Sequence, residues 1–250
     1  MSKRILLIVE GPNDEKTLVK KLWDRFDKGV DYSIYTYETN IYVLMSQLFE
    51  DGVIDEDIDL LRVLKSQTIP ESKRISKEET FTDIYLIFDF DPQDPDADFD
   101  MLRKMLMFFN DSTSKGKLYI NYPMMQSFRH ITSEHDDEFK DRMVPADIGR
   151  SYKALVDKEA WKVLKQNASL DRGRLKWIIC LNLSKMNYII NGNNRMPTYH
   201  EYKDMTGDVI LDRQLESIEE NGSVYVLNTS VFLIVDYHPS WIFDDVRPGE

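Results

Sequence analysis

Two stretches decide the reading of this chain: Ile5-Leu-Leu-Ile-Val-Glu10-Gly-Pro-Asn-Asp14 and Ile84-Tyr-Leu-Ile-Phe-Asp89-Phe-Asp91. Each opens with an unbroken apolar run and closes on an acid. A short continuous apolar run bounded by turn residues is the pattern of a strand covered on both faces of a parallel sheet. After the first run, Glu10-Gly-Pro-Asn13 breaks the strand. Asn13 or Asp14 then caps a helix whose apolar positions, Leu18, Leu22 and Phe26, recur at helical spacing.

Working outward, Val30 to Tyr37 reads as a second strand, and Asn40 to Leu64 as helix in two pieces split around Asp51-Gly52. Ser66 to Thr82 is a polar loop, Phe99 to Phe109 an amphipathic helix and Leu118 to Tyr122 a further strand. Strands alternating with helices imply βαβ units and an α/β fold with a central, mostly parallel sheet flanked by helices. After about Pro145 the texture changes. Two or three helices are expected between residues 146 and 191 and another over 198–220. Val224–Leu227 and Val231–Val235 form either a strand and a helix or two strands. The expected organisation is an α/β part, 1–144, with a mainly helical part, 145–250, packed on it.

Composition narrows the classes. With 250 residues, 42% of them hydrophobic, the chain can bury a substantial core. The apolar run at residues 5–9 is too short for a signal sequence, and Asn228-Thr-Ser230 interrupts the apolar stretch Val224–Val235, so no membrane span is expected and the expected location is cytoplasmic. The single cysteine, Cys180, excludes a disulfide framework and a cysteine-built zinc site. The formal charge of −12 is unevenly spread: residues 149–195 carry ten basic side chains against three acids. Tyr152, Trp161, Trp177 and Tyr188 are interleaved with them. That segment can hold a nucleic-acid backbone with stacking, serve as the lysine-rich face of an ordinary helical subdomain, or dock on an acidic partner.

Ligands of open parallel sheets bind beyond the carboxyl ends of the strands, where both acidic termini fall. In extended backbone Asp89 and Asp91 project from one face, roughly 6.5–7 Å apart at Cα. With Glu10 at the end of a neighbouring strand, three carboxylates converge, and a hard divalent cation relieves their repulsion. The alternative is that each acid merely caps the following helix.

The order of these motifs resembles the Toprim domain. Residues 5–18 are similar to its first motif, an apolar strand then Glu-Gly-x-x-Asp-x-x-x-Leu, and residues 84–91 to its second, a strand then Asp-x-Asp. The resemblance covers roughly residues 3–130. It is closest to the small stand-alone Toprim proteins of phage-defence systems, such as the overcoming-lysogenization-defect nucleases and the nuclease partner of the ATPase in the PARIS system. The segment Asn121-Tyr-Pro-Met-Met-Gln-Ser-Phe128 supports that placement, although such proteins carry an acid where Gln126 stands.

The resemblance implies an Mg²⁺- or Mn²⁺-dependent nuclease cutting DNA or RNA, tRNA included, with metal ligands Glu10, Asp14, Asp89 and Asp91. Glu10 would be general base or second ligand, and a downstream lysine, for which Lys185 is the candidate, would complete the catalytic set. It also implies a partner ATPase, since the chain has no phosphate-binding glycine loop. A homo-oligomer is left open. The alternative in a different class is a non-catalytic Toprim-like module that docks on such an ATPase.

Three further patterns are weaker. Asp89-Phe-Asp91 with Gly207-Asp208-Val-Ile-Leu-Asp212 is similar to haloacid-dehalogenase phosphatases, but Pro92-Gln93 stands where those continue with Gly-Thr. Asp94-Pro-Asp-Ala-Asp-Phe-Asp100 has the acid spacing of a calcium loop without its turn glycine or final glutamate, and reads as a solvated acidic loop bordering the site. His130, His135, His200 and His238 have no metal-ligand spacing and default to the surface, although His130 and His135 follow the last parallel strand closely enough to approach the site.

Overall fold

The computed structural model describes residues 4–11, 14–26, 29–66, 79–165, 170–244 and 246. Its centre is a five-stranded sheet. Strand β1 (Arg4–Val9) lies between β2 (Asp31–Thr36) and a strand at Asp83–Asp89, and β1 pairs with both in parallel. The first run therefore occupies an inner position, and Ile5 through Val9 are all fully buried. An inner strand has no solvent face, which is why this run lacks the alternation of a half-buried strand.

Helix α1 (Asp14–Phe26) connects β1 to β2. Between β2 and the next sheet strand come α2 (Ile41–Leu48), strands β3 (Phe49–Glu50) and β4 (Val53–Ile54), and α3 (Leu60–Ser66). The break expected at Asp51-Gly52 is thus a small antiparallel hairpin, with both turn residues at positive φ, 51° and 76°. The sheet resumes with β5 (Asp83–Asp89), followed by α4 (Phe99–Phe108), β6 (Asn110–Asp111) and β7 (Gly116–Asn121). The order is β2-β1-β5-β7-β6, and only the two-residue edge strand β6 is antiparallel. Most of the stretch expected as loop, 67–78, lies outside the described residues.

The C-terminal half supplies strand β8 (Met143–Pro145), helices α5 (Ser151–Glu159), α6 (Lys162–Lys165), α7 (Arg172–Asn191), α8 (Tyr199–Asp204) and α9 (Gly207–Asn221), strand β9 (Ser223–Tyr225) and helix α10 (Phe232–Tyr237). The open choice at residues 224–235 resolves as strand then helix. β9 pairs antiparallel with β8, and Tyr122 at the end of β7 bridges to Leu227. Helix α7 packs on α1, and α9 on α4. The α9–α4 contact is close: a Cβ on Gly207 would stand 2.8 Å from Leu106 Cδ2. Both halves contribute to one continuous buried cluster. The chain is a mixed α/β protein with a mostly parallel sheet flanked by helices, and no helix among the described residues is long and apolar enough to cross a membrane.

Candidate metal and phosphodiester site

The carboxyl ends of β1 and β5 lie side by side. Val9 pairs with Ile87 and the Glu10 N–H donates to the Ile87 carbonyl at 3.2 Å, so one further step of that register sets Glu10 opposite Phe88, not Asp89. A one-residue offset reverses the face a side chain takes from the pleat. The Glu10 carboxylate instead reaches across the strand end, where its Oε2 accepts the Asp89 N–H at 3.1 Å. The Glu10 carbonyl in turn accepts the N–H of Glu38, a non-glycine residue held at φ 66°.

Asp89 is 8% exposed, and its Oδ1 accepts the Met125 N–H at 2.8 Å. Past it the strand ends, and the Phe90 N–H is shared by the carbonyls of Asn121 and Pro123. Phe90 is fully buried against Phe99 and Tyr122, which pins the residue between the two aspartates. Asp91 then begins a turn closed by the Asp94 N–H, and its Oδ1 accepts the Gln93 amide at 3.2 Å. Burial above all, and the charge of Asp94 after it, raise the Asp91 carboxyl above its ordinary range, while Gln93 and the exposed Arg150 oppose the shift.

Asp94 accepts Asn40 Nδ2 at 2.7 Å, and Asn40 Oδ1 caps α2 through the Val43 N–H at 3.0 Å. The start of α2 is thereby fastened beside Asp91. Tyr42, in its first turn, is 2% exposed, and its hydroxyl has no hydrogen-bond partner among the described residues. Burial first, and then the charges of Asp91, Asp94 and Glu10, push this phenol upward. The other acids of the loop do local work: Asp98 caps α4 through Met101 N–H and Asp100 pairs with Arg103.

A buried polar web carries the Met125 end of the site. Asn228 Nδ2 donates to the Met125 carbonyl and to Ser127 Oγ, and the Asn228 N–H donates to Asn182 Oδ1 on α7. Ser230 N–H donates to Asn121 Oδ1, and Thr229 Oγ1 to the Ile120 carbonyl. Sequence reasoning had used Asn228–Ser230 only to exclude a membrane span. The available signal was three small polar residues inside an apolar run, which implies buried partners.

The expected residues fall in different places. Glu10, Asp89 and Asp91 share one sheet edge. Asp14 is the first residue of α1, and its side chain lies outside the described residues, as does the proposed cap Asn13. Gln126 is 7% exposed, in the short turn that begins at Met125, whose N–H binds Asp89. Lys185 does not join the carboxylates. It is fully buried in α7, its Nζ donates to the carbonyls of Phe139 and Arg142 at 2.7 and 2.8 Å, and it lies over the Phe139 ring. Burial first, and Arg142 after it, drive its pKa well down, and the charges acting on it are those of Arg142, Asp136 and Asp141.

The surface default for His130 is also corrected. It is 1% exposed, between the Tyr152 hydroxyl and the Glu159 carboxylate at 3.0 and 3.1 Å, whereas His135 is exposed. Tyr152, one of the aromatics that the nucleic-acid alternative would use for stacking, is core. Trp161 and Trp177 remain half-buried and contact each other edge-on. Asp212 of the phosphatase-like pattern pairs with Arg103 from within α9. A cavity of about 500 Å³ opens elsewhere, near Lys117 and Tyr202, which both bind Asp236.

Among the described residues no group of three or more His, Cys, Asp or Glu already stands in a metal-holding arrangement. The donor chemistry nevertheless fits a hard divalent cation: three carboxylates at one edge, each held by an N–H donor, and a buried hydroxyl that lacks a partner. Comparison with family models, curated proteins and solved structures returns no match in any of the three.

Proposed function

We propose that this chain is a Toprim-type, Mg²⁺-dependent nuclease whose active edge is formed by Glu10, Asp89 and Asp91. The observation that carries the reading is the Glu10 carboxylate on the Asp89 N–H, which ties two acids from adjacent parallel strands into one edge. Glu10, Asp89 and Asp91 would hold the cation, with Asp14 as a further candidate. When bound, the cation supplies Lewis-acid stabilisation of the charge that develops on the phosphate.

The chain's own residues supply the rest. Glu10 is oriented by the Asp89 N–H to accept a proton from the attacking water at its carboxylate. Arg150, exposed and close enough for its charge to act on Asp91, contacts a phosphate oxygen of the substrate. The exposed cations Lys153, Lys158 and Lys162 continue that contact along the strand backbone. Their field is local on a chain of net charge −12, which suits a protein delivered to its substrate by a partner ATPase of a defence system.

The test is to incubate the full chain with total tRNA, plasmid and single-stranded DNA, each with Mg²⁺ or with EDTA. Cleavage of at least one substrate that needs Mg²⁺ and disappears in Glu10→Gln supports the reading. Absence of cleavage by the unaltered protein on all three, or cleavage that persists in Glu10→Gln, overturns it. A non-catalytic module docking on the same ATPase is the second reading, favoured by the buried Gln126 standing where the proteins this chain resembles carry an acid. It predicts cation binding and partner binding with no cleavage.

A further inference from the structure

Tyr42 presents an orphaned polar group near this edge: it lies in the first turn of α2, whose cap Asn40 binds Asp94. Its hydroxyl is buried and has no hydrogen-bond partner among the described residues. Leaving a buried hydroxyl unsatisfied costs about 1–3 kcal/mol. Groups of this kind are rare enough that each calls for a reason, such as a ligand or a second arrangement of the site. The groups whose charges reach the hydroxyl are Asp91 foremost, then Asp94 and Glu10, all of them hydrogen-bond acceptors. A donor therefore stands among acceptors without a bond to any of them.

Hydrogen bonds tie the backbone around Tyr42 to both sides of the edge. Helix α2 is bound to Asp94 through Asn40, and the segment before it is bound to the Glu10 carbonyl through the Glu38 N–H at 2.8 Å. Glu38 holds a left-handed φ of 66°, a conformation that costs a non-glycine residue of order 1 kcal/mol or more and persists where its surroundings enforce it. The loosest of the three carboxylates is Asp91. The hydrogen bond described for it comes from the exposed side chain of Gln93 at 3.2 Å, the long end of the normal range.

We infer that Tyr42 is a positioning residue of the cation site: when Glu10, Asp89 and Asp91 gather on a divalent cation, the Tyr42 hydroxyl donates to the Asp91 carboxylate and fixes its orientation. This rests on the metal reading of the preceding section. It accounts for the orphaned hydroxyl. Hydrogen bonds to ligating carboxylates orient them, and removing such a partner typically costs 10–100-fold in metal affinity.

The experiment is calorimetric titration of MnCl₂ into the full chain, unaltered and as Tyr42→Phe, with the melting temperature of each measured in EDTA. Tyr42→Phe is expected to melt in EDTA at or above the unaltered protein, because it removes a hydroxyl without a partner, and to bind Mn²⁺ about tenfold or more weakly. Unchanged Mn²⁺ affinity in Tyr42→Phe overturns the inference and leaves the metal reading standing. A clear drop in melting temperature in EDTA also overturns it, since the hydroxyl would then have a partner without metal. No Mn²⁺ binding by the unaltered protein overturns the metal reading itself.

Discussion

The backbone N–H of Met125 donates to Asp89 Oδ1 at 2.8 Å, so the carboxylate at the end of β5 is held by the turn that follows β7. That turn is in turn held by Asn228, whose amide donates to the Met125 carbonyl and to Ser127 Oγ. Asn228, distant from Asp89 in sequence, thereby positions through hydrogen bonds the N–H that holds the Asp89 carboxylate.

Asn228→Ala should therefore weaken both stability and the site. It is fully buried, and its loss leaves the Met125 carbonyl, Ser127 and Ser230 short of partners, at a cost of about 2–4 kcal/mol. For a chain of this size that corresponds to a melting temperature lower by roughly 4–16 °C. Thermal melts in EDTA measure it, and a shift under about 1 °C would show that the web is not structural. Mn²⁺ affinity should fall as well, because the Met125 N–H no longer holds Asp89 in place.

Gln126→Glu tests the residue next to Met125, whose N–H holds Asp89. A carboxylate in this buried turn loses its hydration with no cation to offset its charge, so the metal-free protein should lose stability through desolvation of that charge. The same change should tighten Mn²⁺ binding about tenfold, equivalent to about 1.4 kcal/mol. Titration calorimetry reads both the affinity and the number of ions bound. Equal affinity in the two proteins would place residue 126 outside the ligand shell.

Lys185→Ala separates structure from catalysis at the lysine that sequence reasoning had nominated. The substitution removes two donors from the carbonyls of Phe139 and Arg142 and opens a cavity in α7, costing about 2–5 kcal/mol. Its melting temperature should fall accordingly, while Mn²⁺ affinity below the melting range stays within about twofold of the unaltered protein. A variant that melts normally and loses only cleavage would return Lys185 to the catalytic set.

How much was legible in the sequence follows from where each signal resides. β1 and β5 were readable because inner parallel strands demand apolar side chains at every position, and Ile5–Val9 and Ile84–Phe88 supply them. The place of their terminal acids was readable because the apolar runs mark where each strand ends. Lys185 was nominated for its place in a basic helical segment, and only the tertiary packing of α7 on the 139–142 turn shows the two carbonyls that hold its ammonium. Tyr42 carried no signal, since a tyrosine in the first turn of an apolar helix reads as core. The register offset that sets Glu10 against Phe88 was equally hidden, because pairing is fixed by contacts between strands far apart in the chain.

His130 gives a pH dependence with a defined sign. Burial above all lowers its pKa from the ordinary 6.5, the charges of Arg142 and Lys185 act in the same direction, and the hydrogen bond to Glu159 opposes them. The unfolded chain protonates this imidazole near 6.5, whereas the folded chain does so only at lower pH. Between those two points the unfolded state binds more protons, so stability rises with pH through the window. The contribution is complete above about pH 6.5, declines as pH falls below that value, and levels off once the folded imidazole is protonated too. Melting temperatures from about pH 7.5 to about pH 5 should fall more steeply in the unaltered protein than in His130→Gln. The variant should start lower, because Tyr152 and Glu159 lose a partner that packs as imidazole. Parallel slopes in the two proteins would remove His130 as the origin of the acid sensitivity.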